Sequence, residues 1–204
     1  MFTGIVKNLG QVQQIEFSGL LAKLTLESNL DASDVALGDS IAINGVCLTV
    51  TKIFPYLCFD LGVETLEKTT LSSLRPTQMV HFEKAMRFSD RLGGHLVQGH
   101  VDGIGIIVLR ETMGDSLRLG IACHPNLLRL CVYKGSICID GISLTINNVN
   151  ETGFEAGLIP HTLQNTCLAK LQVGDRVNIE NDLIGKYVGQ LFQNNEYTHA
   201  KDSI

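Results

Sequence analysis

The sequence predicts an all-β protein: one small closed barrel duplicated in tandem and followed by a helix. Three observations lead there. A ten-residue segment recurs at an offset of 96; short alternating stretches rich in Val, Ile and Thr fill both copies; and an apolar stripe with helical spacing follows the second copy alone.

The repeat sets Ser40-Ile41-Ala42-Ile43-Asn44-Gly45-Val46-Cys47-Leu48-Thr49 against Ser136-Ile137-Cys138-Ile139-Asp140-Gly141-Ile142-Ser143-Leu144-Thr145. Six of these ten positions are identical, and Val46/Ile142 is conservative. Downstream, Phe59 and Gly62 align with Phe154 and Gly157. After a two-residue insertion, Thr65-Leu66, Thr69 and Leu71 align with Thr162-Leu163, Thr166 and Leu168. Leu74, Val80 and Glu83 then match Leu171, Val177 and Glu180, and near the start Gly4-Ile5 is set against Gly103-Ile104. The copies run over residues 1–87 and 98–184, with a linker at 88–97 and a helix and tail at 185–204.

Within each copy the strands are punctuated by Gly, Asn and Asp. Val46 to Thr51 alternates strictly, as does Ile142 to Asn147, the mark of half-buried strands. Val46, Leu48 and Val50 fill one face, and Cys47, Thr49 and Thr51 the other; Ile142, Leu144 and Ile146 likewise oppose Ser143, Thr145 and Asn147. With the branched aliphatics inside a barrel, the Cys/Thr and Ser/Thr faces lie outside. Closure is favoured because it leaves no exposed strand edge. Short helices are expected at Asn126–Leu130 and, in each copy, from Leu66 to Leu74 and from Leu163 to Leu171. Leu183, Ile184, Tyr187, Val188, Leu191 and Phe192 form one apolar stripe, which either docks on another subunit or lies on its own barrel. The last ten residues are polar and read as a frayed tail.

Composition excludes several classes. Net charge is −5 with no Lys/Arg-rich run, which argues against nucleic acid and against a polyphosphate substrate. No stretch reaches the ~18 apolar residues of a membrane span, and the N-terminus lacks a signal-peptide pattern, so a cytoplasmic protein is expected. In that compartment the six cysteines read as reduced thiols, and no C-x-x-C pair suggests zinc.

Polar residues at strand and linker positions supply the chemistry. Cys47 alone reads equally well as a buried structural thiol. Thr49 beside it, with Ser143 and Thr145 at the matching place, favours a polar pocket wall in each copy. An exterior wall is half a pocket, so the other barrel or another subunit must close it. The linker carries Gly93-Gly94-His95 and Gly99-His100. The histidines lack a third ligand nearby in sequence, which argues against metal binding and leaves two readings: proton transfer near neutral pH, or a glycine hinge whose histidines cap local backbone groups.

These residues resemble the riboflavin synthase family. The matching elements are Met1-Phe2-Thr3-Gly4-Ile5-Val6, Asn44 to Thr49, Gly93 to Val101, Lys134-Gly135-Ser136 with Asp140 to Thr145, and Ile159-Pro160-His161-Thr162, five in order along nearly the whole chain. The resemblance implies two six-stranded Greek-key barrels and a C-terminal helix that joins a homotrimer. It implies that two molecules of 6,7-dimethyl-8-ribityllumazine dismutate by four-carbon transfer to riboflavin and 5-amino-6-ribitylaminouracil, without metal or cofactor. Each site then lies between the first barrel of one subunit and the second barrel of its neighbour. Lumazine synthase is a further candidate partner.

Roles carry over by position. Cys47 and Ser143 sit near the reacting rings, and His100 transfers protons, with Asp140 and Lys134 as polar support in the second half-site. Thr49 and Thr145 donate hydrogen bonds beside Leu48 and Leu144, and Gly4, Ile5, Val6, Gly99, His100 and Val101 read the pyrimidine edges through backbone. Asp60, Leu61, Gly62, Val63, Glu64 and Thr65 bind one ribityl chain; Gly157, Leu158, Ile159, Pro160, His161 and Thr162 bind the other. Two rivals remain: a lumazine- or flavin-binding antenna protein on the same fold that catalyses nothing, and a flavin-binding reductase barrel. The second needs a Rossmann domain for which a duplicated barrel leaves no room.

Overall fold

The computed structural model describes residues 1–28, 30 and 32–199. The first barrel comprises β1 (Asn8–Ser18), β2 (Leu21–Ser28), β3 (Ser40–Ile43), β4 (Val46–Lys52), β5 (Leu57–Leu61) and, after helix α1 (Val63–Lys68), β6 (Met79–Lys84). The second comprises β7 (Gly103–Met113), β8 (Ser116–Ala122), helix α2 (Pro125–Leu128), β9 (Ser136–Ile139), β10 (Ile142–Val149), β11 (Gly153–Leu158), helix α3 (Pro160–Asn165) and β12 (Arg176–Asn181). Helix α4 (Leu183–His199) follows.

Both sheets close, in the orders β1-β2-β5-β4-β3-β6 and β10-β11-β8-β7-β12-β9. Read around the ring these are the same order, as duplication requires, and every pairing is antiparallel. Bulges recur at matching places: Val12/Gln14 with Ile107/Leu109, and Val50/Lys52 with Ile146/Asn148. Such bulges bend the strands, and the bending helps a small sheet close on itself.

Alternation behaves as expected. Val46, Leu48 and Val50 are buried in the first core with Phe59 and Phe82, whose rings meet edge to face at 6.3 Å. Ile142, Leu144 and Ile146 are buried in the second core. Thr49 and Thr145 are exposed, and Cys47 and Ser143 half-buried. The β3–β4 and β9–β10 hairpins turn through Asn44-Gly45 and Asp140-Gly141, all at positive φ between 45° and 84°. That is the mirror-image turn whose twist suits paired strands.

The helix expected from Leu66 to Leu74 is two pieces, α1 and a 3-10 turn at Thr70–Ser73. Thr69 interrupts it in extended geometry, and its hydroxyl accepts from the Leu71 amide. Thr166 splits α3 from the Cys167–Lys170 turn in the same way. A threonine that bonds its own backbone competes with helix continuation. α4 continues beyond the start of the expected polar tail, and residues 200–204 lie outside the described ones. No helix among the described residues is long and apolar enough to cross a membrane.

Candidate active site

The segments before β1 and β7 cross between the barrels. Phe2 and Val97 pair backbone to backbone, each donating to the other's carbonyl, and both are fully buried. Beyond that bridge the arms diverge. Gly4 accepts from the Ser143 amide at 2.8 Å, and Gly99 accepts from the Cys47 amide at 2.8 Å. The arm of the first repeat thus covers the second barrel, and the arm of the second covers the first. Val6 belongs to the second core, and Val101 packs on the first.

Glu83 and Glu180 hold the arms. Glu83 accepts from the Thr3 amide and hydroxyl and the Gly4 amide; Glu180 accepts from the Gln98 and Gly99 amides. Burial raises the pKa of both carboxyls, opposed by these bonds. The geometry corrects the repeat alignment: Gly4 corresponds to Gly99, not Gly103, and Ile5 to His100. Glycine is required because a Cβ on Gly4 would lie 2.7 Å from Ser143 Cβ, and one on Gly99 2.6 Å from Cys47 Cβ.

Where the second half-site is expected, a cavity of about 680 Å³ lies on the outer face of the second barrel. Among its walls are Lys134, Ser143, Thr145, Asn147, Gly157 and Thr162. Lys134 Nζ donates to Asn147 Oδ1 at 3.3 Å. Leu144, Leu158 and Ile159 also border it, although the first two bury their side chains in the barrel. Pro160 and His161 begin α3 on the exposed side and do not line it. In the first barrel, Cys47, Thr49, Asp60, Gly62, Val63, Glu64 and Thr65 follow the same strand-strand-helix path, with His100 exposed on the adjoining arm. Leu48 and Leu61 point inward and offer only backbone.

One expected residue lies elsewhere. Asp140 is buried at the junction of the barrels, where its Oδ1 accepts from the Asn178 amide, and it lines a different cavity with His81 and Asn44. Its turn places it one pleat before the strand positions that face the half-site. Burial raises its pKa to about 7. His81 Nδ1 donates to the Asp140 carbonyl and Nε2 accepts from the Cys167 amide, so the ring is neutral, its pKa lowered by burial to about 4.

One linker histidine without a role in the carry-over lies against the second barrel. His95 is buried, and its Nδ1 lies 2.7 Å from Ser143 Oγ. Nε2 has no partner among the described residues. Burial lowers the pKa of the ring, and the Asp182 carboxylate raises it more weakly. The Gly93-Gly94 pair just before it was the available signal: a Cβ on Gly94 would lie 2.2 Å from the Thr3 carbonyl oxygen. The two histidines therefore lie against different barrels, His95 at Ser143 and His100 on the arm that covers Cys47, rather than at one centre.

Residues 3–85 and 98–182 each match the family described as Lumazine binding domain. The chain is 42% identical to a riboflavin synthase of Photobacterium leiognathi, covering all of this chain and 94% of that one. It is 43% identical to that of Mycobacterium tuberculosis, over 95% and 98% of the two chains. The chain belongs to the riboflavin synthase family. It is an enzyme of that type, and its repeats are the family's lumazine-binding domains. Among solved structures, LumP complexed with riboflavin superposes with a TM-score of 0.81 at 23% identity, and LumP complexed with 6,7-dimethyl-8-(1'-D-ribityl) lumazine with 0.79 at 23%. Each alignment covers 89% of this chain and 99% of the other, a likeness of fold.

Proposed function

We propose that the protein converts two molecules of 6,7-dimethyl-8-ribityllumazine into riboflavin and 5-amino-6-ribitylaminouracil by transfer of a four-carbon unit. The observation that carries this reading is the pair of outward polar strand faces, Cys47/Thr49 and Ser143/Thr145, each overlaid by an arm glycine. Two related but unequal half-pockets suit two identical molecules with different roles. Pairing alone supplies much of the rate, since well-oriented intramolecular reactions reach effective molarities of about 10⁵–10⁸ M.

The second cavity is lined by second-barrel residues, so a ring bound there needs a facing half-site to react with. We assign that face to the first barrel of another copy in a homotrimer joined through α4. Thr49 and Thr145 donate hydrogen bonds to the bound molecules. The α1 and α3 ends, Asp60 to Thr65 and Gly157 to Thr162, cradle the ribityl chains. His100, exposed beside Cys47, takes the methyl proton in the first half-site.

The test is turnover of the lumazine by the purified chain after dialysis against a strong chelator. Riboflavin is expected at an unchanged rate, read as its fluorescence. Tight lumazine binding without product would replace this reading with the antenna function, and activity restored by zinc would introduce a metal.

A further inference from the structure

A separate cavity of about 570 Å³ lies at the junction of the barrels and shares no lining residue with the one on the outer face. Its walls repeat the duplication: apart from His81, each lining residue is present with its counterpart from the other copy. Two bridging side chains build the floor. Asn178 Nδ2 donates to the Asn44 carbonyl at 2.8 Å, and its Oδ1 accepts from the Thr70 amide at 2.7 Å. His81 makes the matching bonds to the Asp140 carbonyl and the Cys167 amide.

These bridges leave three donors over. Asn44, Thr70 and Asp140 are 9%, 8% and 8% exposed, yet Asn44 Nδ2, Thr70 Oγ1 and Asp140 Oδ2 have no partner among the described residues. None of the three is sealed in protein, so all open on the cavity. Buried polar groups without partners are costly and rare. Burial raises the pKa of Asp140 to about 7, so at pH 6 its carboxyl is protonated and donates. Charge in the cavity is one-sided. Lys170 and Arg176 stand where the first repeat has Ser73 and Met79, and neither side chain has a partner among the described residues. Asp175, next to Arg176, is spent on its own turn, its Oδ2 accepting from the Gln172 amide at 2.7 Å. Gln78 makes the equivalent bond in the first repeat, to the Arg75 amide.

We propose that this cavity binds a phosphorylated polyol, with Lys170 and Arg176 on the phosphate and Asn44, Thr70 and Asp140 bonding the hydroxyl groups. Two cations match a phosphate monoester, which carries a charge of about −1.5 to −2 near neutral pH. Arginine offers a planar fork to its oxygens and lysine a point charge. A bare phosphate satisfies the cations alone and leaves the floor unpaired. The volume also suits a larger ligand, since small-molecule sites span about 300–1,000 Å³. The binding groups come from both repeats, so occupancy clamps one barrel to the other. This site is separate from lumazine conversion and does not depend on that reading.

The probe is D-ribose 5-phosphate, titrated calorimetrically into the full chain at pH 6. One saturable site per chain is expected, with inorganic phosphate binding more weakly and ribose more weakly still. Lys170→Ser and Arg176→Met each install the residue that the first repeat carries at that place, so each should fold normally. Each should weaken ribose 5-phosphate at least about tenfold, because a charge-assisted bond is lost. Lys134→Gly removes the cation of the outer-face cavity instead and should leave the affinity unchanged. No binding by the wild-type chain, or affinity that survives both Lys170→Ser and Arg176→Met, would overturn the site. Ribose binding as tightly as its phosphate would overturn the ligand class, and loss of affinity in Lys134→Gly alone would move the anion to the outer face. None of these outcomes bears on turnover of the lumazine.

Discussion

At the level of single residues, the junction between the barrels carries two buried titratable groups that oppose each other in pH. Asp140 has its pKa raised to about 7, so its contribution to stability is complete below the ordinary carboxyl value and is lost as pH rises through 7. His81 has its pKa lowered to about 4, so its contribution is complete above the ordinary histidine value and is lost as pH falls toward 4. Asn44 occupies the place of Asp140 in the first repeat and makes the same bond, its Oδ1 accepting from the His81 amide at 2.8 Å. Asp140→Asn should therefore keep the turn and remove the alkaline loss. We expect stability at pH 8 to rise by roughly 1–3 kcal/mol in urea unfolding, with little change at pH 4. A loss of stability at pH 8 would mean that the ionised carboxylate is needed. Retained turnover in this variant would agree with its position outside the half-site.

At the level of elements, α4 carries the clearest apolar surface left exposed among the described residues. Gly185 and Gly189 set the helix against Leu130, and Ile184, Tyr187, Val188, Leu191 and Phe192 are left exposed on the rest of its surface. If α4 joins the proposed homotrimer, the full chain should sediment as a trimer and truncation before Leu183 should give monomers that no longer turn over lumazine but still bind it in the first half-site. A truncated chain that stays trimeric would place the subunit contact elsewhere. This stripe was legible because helical spacing survives in any packing arrangement. So were the barrel strands, whose alternation is a local property of the chain. The splitting of each repeat's helix was not, because Thr69 and Thr166 act through side-chain bonds to backbone rather than through propensity. The arms escaped for a different reason. Their partners are 52 residues away for Gly99 on Cys47 and 139 for Gly4 on Ser143, and nothing local records which barrel they reach. The same distance hid the contact of His95 with Ser143 and placed Asp140 wrongly in the half-site.

At the level of the whole molecule, the two repeats meet turn to turn and arm to arm around one axis of pseudo-symmetry. A Cβ on Gly45 would lie 2.6 Å from the Gly141 amide nitrogen, and one on Gly141 2.8 Å from that of Gly45. Gly45→Ala combines this clash with an unfavourable positive φ of 78°. It should cost about 1–3 kcal/mol in urea unfolding, and a neutral result would show that the turns have room to part. The crossed arms also bear on ancestry. A single-repeat chain whose arm reaches only a neighbour's barrel cannot complete itself and must pair, so the duplicated chain has the organisation of an exchanged dimer whose subunits were later joined end to end. Fusion turns that encounter into an intramolecular one, with the local concentration that a short tether provides. It also frees the two halves to differ. A serine, a lysine and a buried histidine could then accumulate beside one pocket while the other kept its thiol, which a strictly symmetric pair of identical chains has no means to do.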